Sequence, residues 1–272
     1  MPATLDEIVA ATRRRIVEAK PVADLRQLER QAADHTPRGF RRSLEVRSRS
    51  GIAVIAELKK SSPSRGVIRP DFDPEILARE LASGGAAALS VLTDTEFFQG
   101  SLENLRRASH AVSLPCLRKD FIVDEFQLLE ARANGADAVL LIVAALSQSE
   151  FKTLAARVAE YQLDVLCEVH DDEEMRRAVD AGCDVIGVNS RDLRTFAVDL
   201  EIAVRLAEFI PENVLRVAES GIHSGVDIAR LRGAGFQAFL IGESLMKAQS
   251  PGEALRTLLT EAERESHVSV RK

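Results

Sequence analysis

One short grammar recurs along the chain: a helix ending in small residues and Gly, then a brief apolar run. Ser83-Gly84-Gly85-Ala86 precedes Ala88-Leu89-Ser90-Val91-Leu92, and Gly135-Ala136-Asp137 precedes Ala138-Val139-Leu140-Leu141-Ile142. Gly182-Cys183-Asp184 precedes Val185-Ile186-Gly187-Val188-Asn189, and Gly235-Phe236-Gln237 precedes Ala238-Phe239-Leu240-Ile241-Gly242. Glycine after a helix supplies the left-handed backbone that ends it. An apolar run without polar alternation reads as a parallel strand covered on both faces. Residues 54–58, 116–119, 165–169 and 215–219 read as further strands. Helix starts are announced by Asp73-Pro74 and by the capping boxes Ser147-Gln148-Ser149-Glu150 and Ser250-Pro251-Gly252-Glu253. Counting from Val54 gives about eight β–α units, the number a closed (β/α)8 barrel needs. An open doubly wound sheet is the rival, but the G-x-G-x-x-G turn such sheets usually carry after the first strand is missing.

A chain of 272 residues exceeds the usual single domain, yet barrels of this type run to about 250 residues as one unit. The surplus lies at the start. Thr4-Leu5-Asp6-Glu7 forms a capping box, and Leu5, Ile8, Val9, Thr12 and Ile16 fall on one helical face. Pro37-Arg38-Gly39-Phe40 breaks the helical run. Arg41, Arg42, Arg47 and Arg49 follow; they read either as a solvated helix packed on a barrel end or as part of an anionic pocket. The expected organisation is a single α/β domain over 1–272. It comprises an N-terminal helical extension over 1–48, the barrel over 49–265 and a disordered tail over 266–272.

The net charge of -6 argues against general nucleic-acid binding, which wants a basic surface. No run approaches the ~18 consecutive apolar residues of a membrane span, and the polar, amphipathic start is unlike a signal peptide. Cys116, Cys167 and Cys183 have neither the spacing of a disulfide framework nor that of a zinc site. They are expected to be separate buried thiols in a reducing cytoplasm. The His residues form no H-x-x-x-H pair, so no metal is expected.

Barrel chemistry sits at the carboxyl ends of the strands, so the residues there matter most. The first strand ends in Glu57 and Lys59, two positions apart and therefore on one side, with Ile55, facing the lumen. Lys119 ends the third strand, Glu168 the fifth, Asn189 the sixth and Glu219 the seventh. Three carboxylates, two lysines and an amide thus converge on one mouth of otherwise apolar strands. Such a group is costly to desolvate and hard to explain as surface. After the last two strands come the glycine turns Ser220-Gly221-Ile222 and Gly242-Glu243-Ser244-Leu245, the second opening a short helix. Backbone N–H groups at such turns suit a phosphate, and barrels commonly bind phosphate there. The first loop, with Ser61, Ser62, Pro63 and Ser64, is long enough for a ligand clamp. Phe98 and Phe121, on loops after the second and third strands, suit a planar aromatic substrate.

These residues resemble the indole-3-glycerol phosphate synthase family of tryptophan biosynthesis. The matching blocks are Ile55-Ala56-Glu57-Leu58-Lys59 with Ser62-Pro63-Ser64, Phe98-Gln99-Gly100-Ser101, and Leu117-Arg118-Lys119-Asp120-Phe121-Ile122. Further matches are Cys167-Glu168-Val169, Gly187-Val188-Asn189-Ser190-Arg191-Asp192-Leu193, Ala218-Glu219-Ser220-Gly221-Ile222, and Leu240-Ile241-Gly242-Glu243-Ser244-Leu245-Met246. The likeness covers nearly the whole chain. It implies a (β/α)8 TIM barrel with an N-terminal helical extension. The implied reaction closes the ring of 1-(2-carboxyphenylamino)-1-deoxyribulose 5-phosphate with loss of carbon dioxide and water. Lys119 is the implied general acid at the ketone oxygen, and Lys59 and Glu168 serve the dehydration, with donor and acceptor undecided. The resemblance further implies that Glu57 and Glu219 hold the lysines and bind substrate hydroxyls, with Asn189 orienting the same region. Ser62, Ser220, Gly221, Gly242 and the amide of Glu243 are the implied phosphate ligands, with Arg191 near the substrate carboxylate and Phe98 and Phe121 beside the ring.

One departure stands out: Glu243 occupies a place where some relatives carry Ser, so its carboxylate must turn away from a phosphate. The resemblance implies no metal and no cofactor, a small-molecule substrate, a cytoplasmic setting, and no nucleic-acid or membrane partner. It is silent on association with other enzymes of the pathway. The rival readings are another phosphate-binding barrel such as phosphoribosylanthranilate isomerase, or a barrel that binds a sugar phosphate without turning it over.

Overall fold

The computed structural model describes residues 3–192 and 195–269, with side chains through 265. Eight parallel strands close into a barrel. They are β1 (Ala53–Leu58), β2 (Ala88–Leu92), β3 (Cys116–Lys119), β4 (Ala138–Ile142), β5 (Asp164–Val169), β6 (Val185–Asn189), β7 (Leu215–Glu219) and β8 (Ala238–Ile241). Each pairs with its chain neighbours, and β8 returns to β1 through Ala53–Ala238, Val54–Phe239, Ile55–Leu240 and Ala56–Ile241. The apolar runs are strands because both of their faces are covered: β1, β2, β4, β6 and β8 are buried along their whole length. The glycines before four of them have positive φ (Gly85, Gly135, Gly182 and Gly235), the conformation that stops a helix without a Cβ clash.

Three helices precede the barrel: α1 (Leu5–Ala19), α2 (Leu25–Asp34) and α3 (Phe40–Ser50). The capping box of Thr4 and Glu7 starts α1, and Ile8, Ala11, Thr12 and Ile16 are its buried face. The outer layer is α4 (Pro74–Ser83), α5 (Leu102–Ala111), α6 (Phe126–Ala133), α7 (Gln148–Val158), α8 (Asp172–Asp180), α9 (Leu200–Leu206) and α10 (Gly225–Gly233). The short α11 (Glu243–Lys247) and the long α12 (Pro251–Ser269) complete it. Helix α12 runs past residue 265, where the sequence places the start of a tail; residues 270–272 lie outside the described ones. Among the described residues no helix is long and apolar enough to cross a membrane.

The extension is stapled to both ends of the barrel. At the carboxyl end, Arg15 of α1 reaches Asp94 (3.2 Å) and Asp120 (3.4 Å), which follow β2 and β3. At the amino end, the buried carboxylate of Asp137 accepts from Arg38 Nε at 2.9 Å, Arg38 Nη2 at 2.5 Å, the Arg38 backbone N–H at 2.7 Å and the Cys116 N–H at 2.7 Å. Burial alone pushes the Asp137 carboxyl up, but His35, Arg38 and the Cys116 amide overrule it and hold it below its ordinary value. The arginines of α3 belong to this amino end: Arg41 pairs with Glu45 and Asp184, each at 2.8 Å, and none of Arg41, Arg42, Arg47 or Arg49 reaches the mouth cavity. Of the two readings left open, packing on a barrel end is the one observed.

The cysteines correct an expectation. Cys116 is a free buried thiol, but Cys167 and Cys183 are joined as a disulfide, their Cα atoms 6.6 Å apart. Although sixteen positions separate them in sequence, β5 and β6 are hydrogen-bonded neighbours with Cys167 opposite Ile186, which brings the two sulfurs together.

Removing a carboxylate that compensates a buried guanidinium leaves that charge stranded. Asp137→Ala is expected to lower unfolding free energy by about 3–5 kcal/mol in denaturant titrations. It strands Arg38 and the Cys116 amide without touching the mouth; a loss below about 1 kcal/mol contradicts the staple.

Candidate active site

Glu57 and Lys59 leave β1 side by side, and Lys59 Nζ donates to Glu57 Oε1 at 2.7 Å. Across the lumen, Lys119 Nζ at the end of β3 lies 2.8 Å from Glu168 Oε2 and 3.1 Å from Glu219 Oε2. Asn189 at the end of β6 donates to Glu168 Oε1 at 3.2 Å. Glu57, Glu168 and Glu219 are 5%, 2% and 1% exposed, so these charges meet with little water between them. Strand register does the gathering: Ile142 lies opposite Glu168, Glu168 opposite Gly187, and Asn189 opposite Glu219.

Burial and charge push these groups in different directions. Burial disfavours the Lys119 ammonium, yet Glu168, then Glu219 and Glu57, hold its pKa above the ordinary lysine value. Glu168 is also buried, but Lys119 and His170 hold it below the ordinary carboxylate range. Glu219 goes the other way: burial, only partly offset by Lys119 and reinforced by the Glu168 charge, raises it to about 8. The two carboxylates on one lysine are thus pushed in opposite directions, Glu168 toward its ionised form and Glu219 toward its protonated form.

Two glycines make room for these carboxylates. A Cβ on Gly187 would run into Glu219 Oε1 and come 3.1 Å from Leu166 Cδ1. One on Gly242 would stand 2.6 Å from Glu57 Oε1. The lumen is filled to the limit around its acids, so a methyl group there displaces a reacting group rather than merely crowding the core.

A cavity of about 190 Å³ opens above this cluster. Its lining includes each residue that the family resemblance assigns to catalysis or binding: Glu57, Lys59, Ser62, Phe98, Lys119, Phe121, Glu168, Asn189, Arg191, Glu219, Ser220, Gly221, Gly242 and Glu243. The Phe98 and Phe121 rings are tilted against each other, 6.2 Å apart. Ser220 and Gly221 both take positive φ, forming the tight turn after β7. The Glu243 carboxylate is occupied: it pairs with Lys247 at 2.5 Å, Arg65 at 3.3 Å and Arg191 at 3.8 Å. Despite partial burial, Lys247 and then Arg65 and Lys59 hold it below its ordinary value. Leu193, part of the N-S-R-D-L block, lies outside the described residues.

Sequence reasoning missed several lining groups. Ala3, Leu5 and Ile8 place the start of α1 against the cavity. The apolar face of α1 was legible, but not that it covers the mouth. Phe196, held at positive φ in the loop after β6, and His223 also line it, with no local pattern to mark them. Ser62 and Ser244 hydroxyls are buried, have no hydrogen-bond partner among the described residues and line the same cavity, one on the first loop and one in α11. Buried donors without partners are unusual and call for a ligand acceptor.

Gly187→Ala is expected to cut kcat at least about tenfold by displacing Glu219, while stability falls only about 1–3 kcal/mol. Paired kinetic and thermal-unfolding measurements check this; full activity in the variant contradicts the close fit around Glu219.

Comparison with known proteins agrees with this geometry. The sequence model of the family described as indole-3-glycerol phosphate synthase matches residues 5–258. A protein named indole-3-glycerol phosphate synthase from Koribacter versatilis is 59% identical over 259 residues, spanning 95% of this chain and 100% of that one. A protein of the same name from Acidithiobacillus ferrooxidans is 47% identical over 256 residues, spanning 93% and 97%. Solved structures that resemble the chain at low identity show the barrel alone. Salmonella typhimurium 3-hexulose-6-phosphate synthase has a TM-score of 0.63 at 12% identity, covering 79% of this chain and 100% of that one. Pyrococcus furiosus thiamine phosphate pyrophosphorylase has a TM-score of 0.57 at 19% identity, covering 79% and 96%. With the family's pattern running from α1 into α12 and a cup of paired lysines and glutamates at its centre, the chain belongs to the indole-3-glycerol phosphate synthase family.

Proposed function

We propose that this chain closes the indole ring of 1-(2-carboxyphenylamino)-1-deoxyribulose 5-phosphate, using Lys119 as the acid that starts the reaction. The observation that carries the reading is the buried Lys119 between Glu168 and Glu219 at the bottom of an aromatic-walled cavity. The ring carbon bearing the carboxylate attacks the ketone carbon, and the ketone oxygen gains negative charge as the new bond forms. An ammonium held charged in a dry site stabilises that oxygen and then transfers a proton to it. The carboxylate next leaves as carbon dioxide, its bond electrons returning to the ring system. The hydroxyl formed in the first step then departs as water, which needs one proton given and another taken.

For that last step the geometry favours Lys59 as donor and Glu168 as acceptor. The Lys59 ammonium pairs with Glu57 at 2.7 Å, and both residues face the cavity. Glu168 is held ionised by its neighbours and so is ready to receive a proton. Glu219, with its proton and an unpartnered Oε1, suits a substrate hydroxyl and can return a proton to Lys119. Asn189 orients Glu168.

The phosphate is assigned to the rim formed by Ser62, the Ser220-Gly221 turn, Gly242, the Glu243 amide and Ser244. Support comes from the free Ser62 and Ser244 hydroxyls and from the left-handed turn at Ser220 and Gly221. The Glu243 carboxylate, spent on Lys247 and Arg65, leaves its amide as the part that meets the ester. Arg191 is assigned to the substrate carboxylate, and Phe98 and Phe121 to the anthranilate ring. The cytoplasm is the proposed setting.

The chain contains no Trp, so indole fluorescence that grows in a mixture of the carboxyphenylamino substrate and enzyme comes from product. The native chain is expected to turn substrate over in buffer with EDTA and no added cofactor. Lys119→Met is expected to lose about 10³-fold or more in kcat with its fold intact by circular dichroism. Retention of most of kcat in that variant removes Lys119 from its assigned role.

A further inference from the structure

His170 follows β5 two positions after Glu168, so strand alternation turns both toward the same side. It does not line the cavity, whereas Glu168 does. Its Nε2 lies 3.3 Å from Glu168 Oε1, within ion-pair distance but not aligned as a hydrogen bond. Its Nδ1 lies 3.0 Å from Glu174 Oε2 on the first turn of α8, and the same carboxylate oxygen accepts the His170 backbone N–H at 2.8 Å. The side chain is 12% exposed and Glu174 13%, so neither is a surface pair screened by solvent.

A neutral imidazole carries one N–H and one lone pair. Between two ionised carboxylates, a neutral ring must aim that lone pair at one of them, an acceptor facing an acceptor. A ring with hydrogen on both nitrogens meets both carboxylates favourably, through the Nδ1 hydrogen bond to Glu174 and the Nε2 ion-pair distance to Glu168. Glu168 is then approached on Oε1 by Asn189 and the His170 cation, and on Oε2 by Lys119. We propose that His170 is a positioning residue: an imidazolium, anchored by Glu174, whose charge beside Glu168 holds that side chain as a carboxylate. This rests on the reading of Glu168 as the proton acceptor of the dehydration step.

The need for such a residue follows from the reaction. While Lys119 gives up its proton it stops neutralising Glu168, at the moment when Glu168 must stay free of protons. A second cation beside Glu168, outside the cavity lining, keeps it ionised through that interval. Burial opposes charge on His170, but Glu168 and Glu174 overrule it and raise its pKa to about 10. Other charges near the pair are already engaged. Arg177 of α8 binds the Leu146 carbonyl and Gln148, Asp172 pairs with Arg205, Asp171 caps α8, and Glu219 shares Lys119.

The test combines a charge readout with kinetics. In 15N spectra of the native chain, with His170 assigned through the His170→Gln variant, both His170 ring nitrogens are expected to remain protonated at pH 8. A neutral ring at that pH overturns the proposal. His170→Gln is expected to move the acidic limb of kcat to higher pH, lowering kcat on that limb about tenfold. KM is expected to stay within about twofold. The substrate phosphate titrates alike with both enzymes and cancels in the comparison. Glu174→Gln, which removes only the anchor, is expected to shift the limb in the same direction by less, and it reports even if His170→Gln folds poorly. In a Glu168→Gln background the His170 substitution is expected to cost nothing further in kcat. An unmoved acidic limb in both single variants, or additive losses with Glu168→Gln, overturns the role of His170. Full activity in Glu168→Gln alone instead overturns the assignment of Glu168 as acceptor, and the 15N result still stands by itself.

Discussion

A lysine buried between two carboxylates is the constraint around which this barrel is arranged. Lys119 reaches Glu168 and Glu219 at 2.8 and 3.1 Å in a lumen almost closed to water. Such a cluster adds little net stability, because desolvation of each charge offsets the attraction between them. Apolar side chains in the same lumen positions could hold the strands together as well. What the cluster supplies is preorganisation: charges already aimed where oxygen will gain and lose electrons, in a medium where they act strongly. The surrounding sequence accommodates it. Gly187 and Gly242 vacate the space that Glu219 and Glu57 fill, and Asn189 hydrogen-bonds Glu168 while His170 lies at ion-pair distance from it.

The extension serves the same cup from both ends. Arg15 ties α1 to Asp94 and Asp120 at the carboxyl end, setting Leu5 and Ile8 against the cavity. Asp94 is itself raised by burial, relieved by the amides of Phe97 and offset in part by Arg15, so this tie is made inside the protein rather than on its surface. At the amino end, Arg38 threads its guanidinium onto Asp137, Ser109 and the Gly135 carbonyl, next to a strand-start amide. An apolar lid over the mouth lowers the local dielectric, which strengthens every interaction in the cluster beneath it.

Much of this was legible in the residue order, and the reason is periodicity. Glycine-terminated helices and unbroken apolar strands identify a parallel barrel, and the barrel then dictates which strand-end residues share a mouth. Glu57 and Lys59 could be placed on one side from spacing alone, and Lys119, Glu168 and Glu219 from their positions at the ends of apolar runs. Other features depend on distances no local pattern encodes. Cys167 lies in β5 and Cys183 in the turn that leads into the neighbouring β6, and their proximity is a matter of register. The meaning of Gly187 depends on a side chain from the next strand, and that of His170 on Glu174 across a strand–helix turn. Ser244 sat in a glycine turn whose shape was expected, but its unpartnered hydroxyl shows only in three dimensions.

The division of protons between Glu168 and Glu219 is the claim on which the chemistry turns. Infrared difference spectra of the carboxyl region, recorded on the substrate-free native chain and on Glu219→Gln, test it directly. Glu219 is raised to about 8 by burial and by the Glu168 charge. A protonated-carboxyl band is therefore expected at pH 6.5, fading as pH rises through about 8 and absent from the variant. Because its folded value lies above the unfolded one, the stability that Glu219 contributes is fully present below the ordinary carboxyl value of 4.5 and is lost progressively from there up to about 8. A native spectrum with no protonated carboxyl at pH 6.5 means both acids are ionised beside Lys119, which contradicts the account.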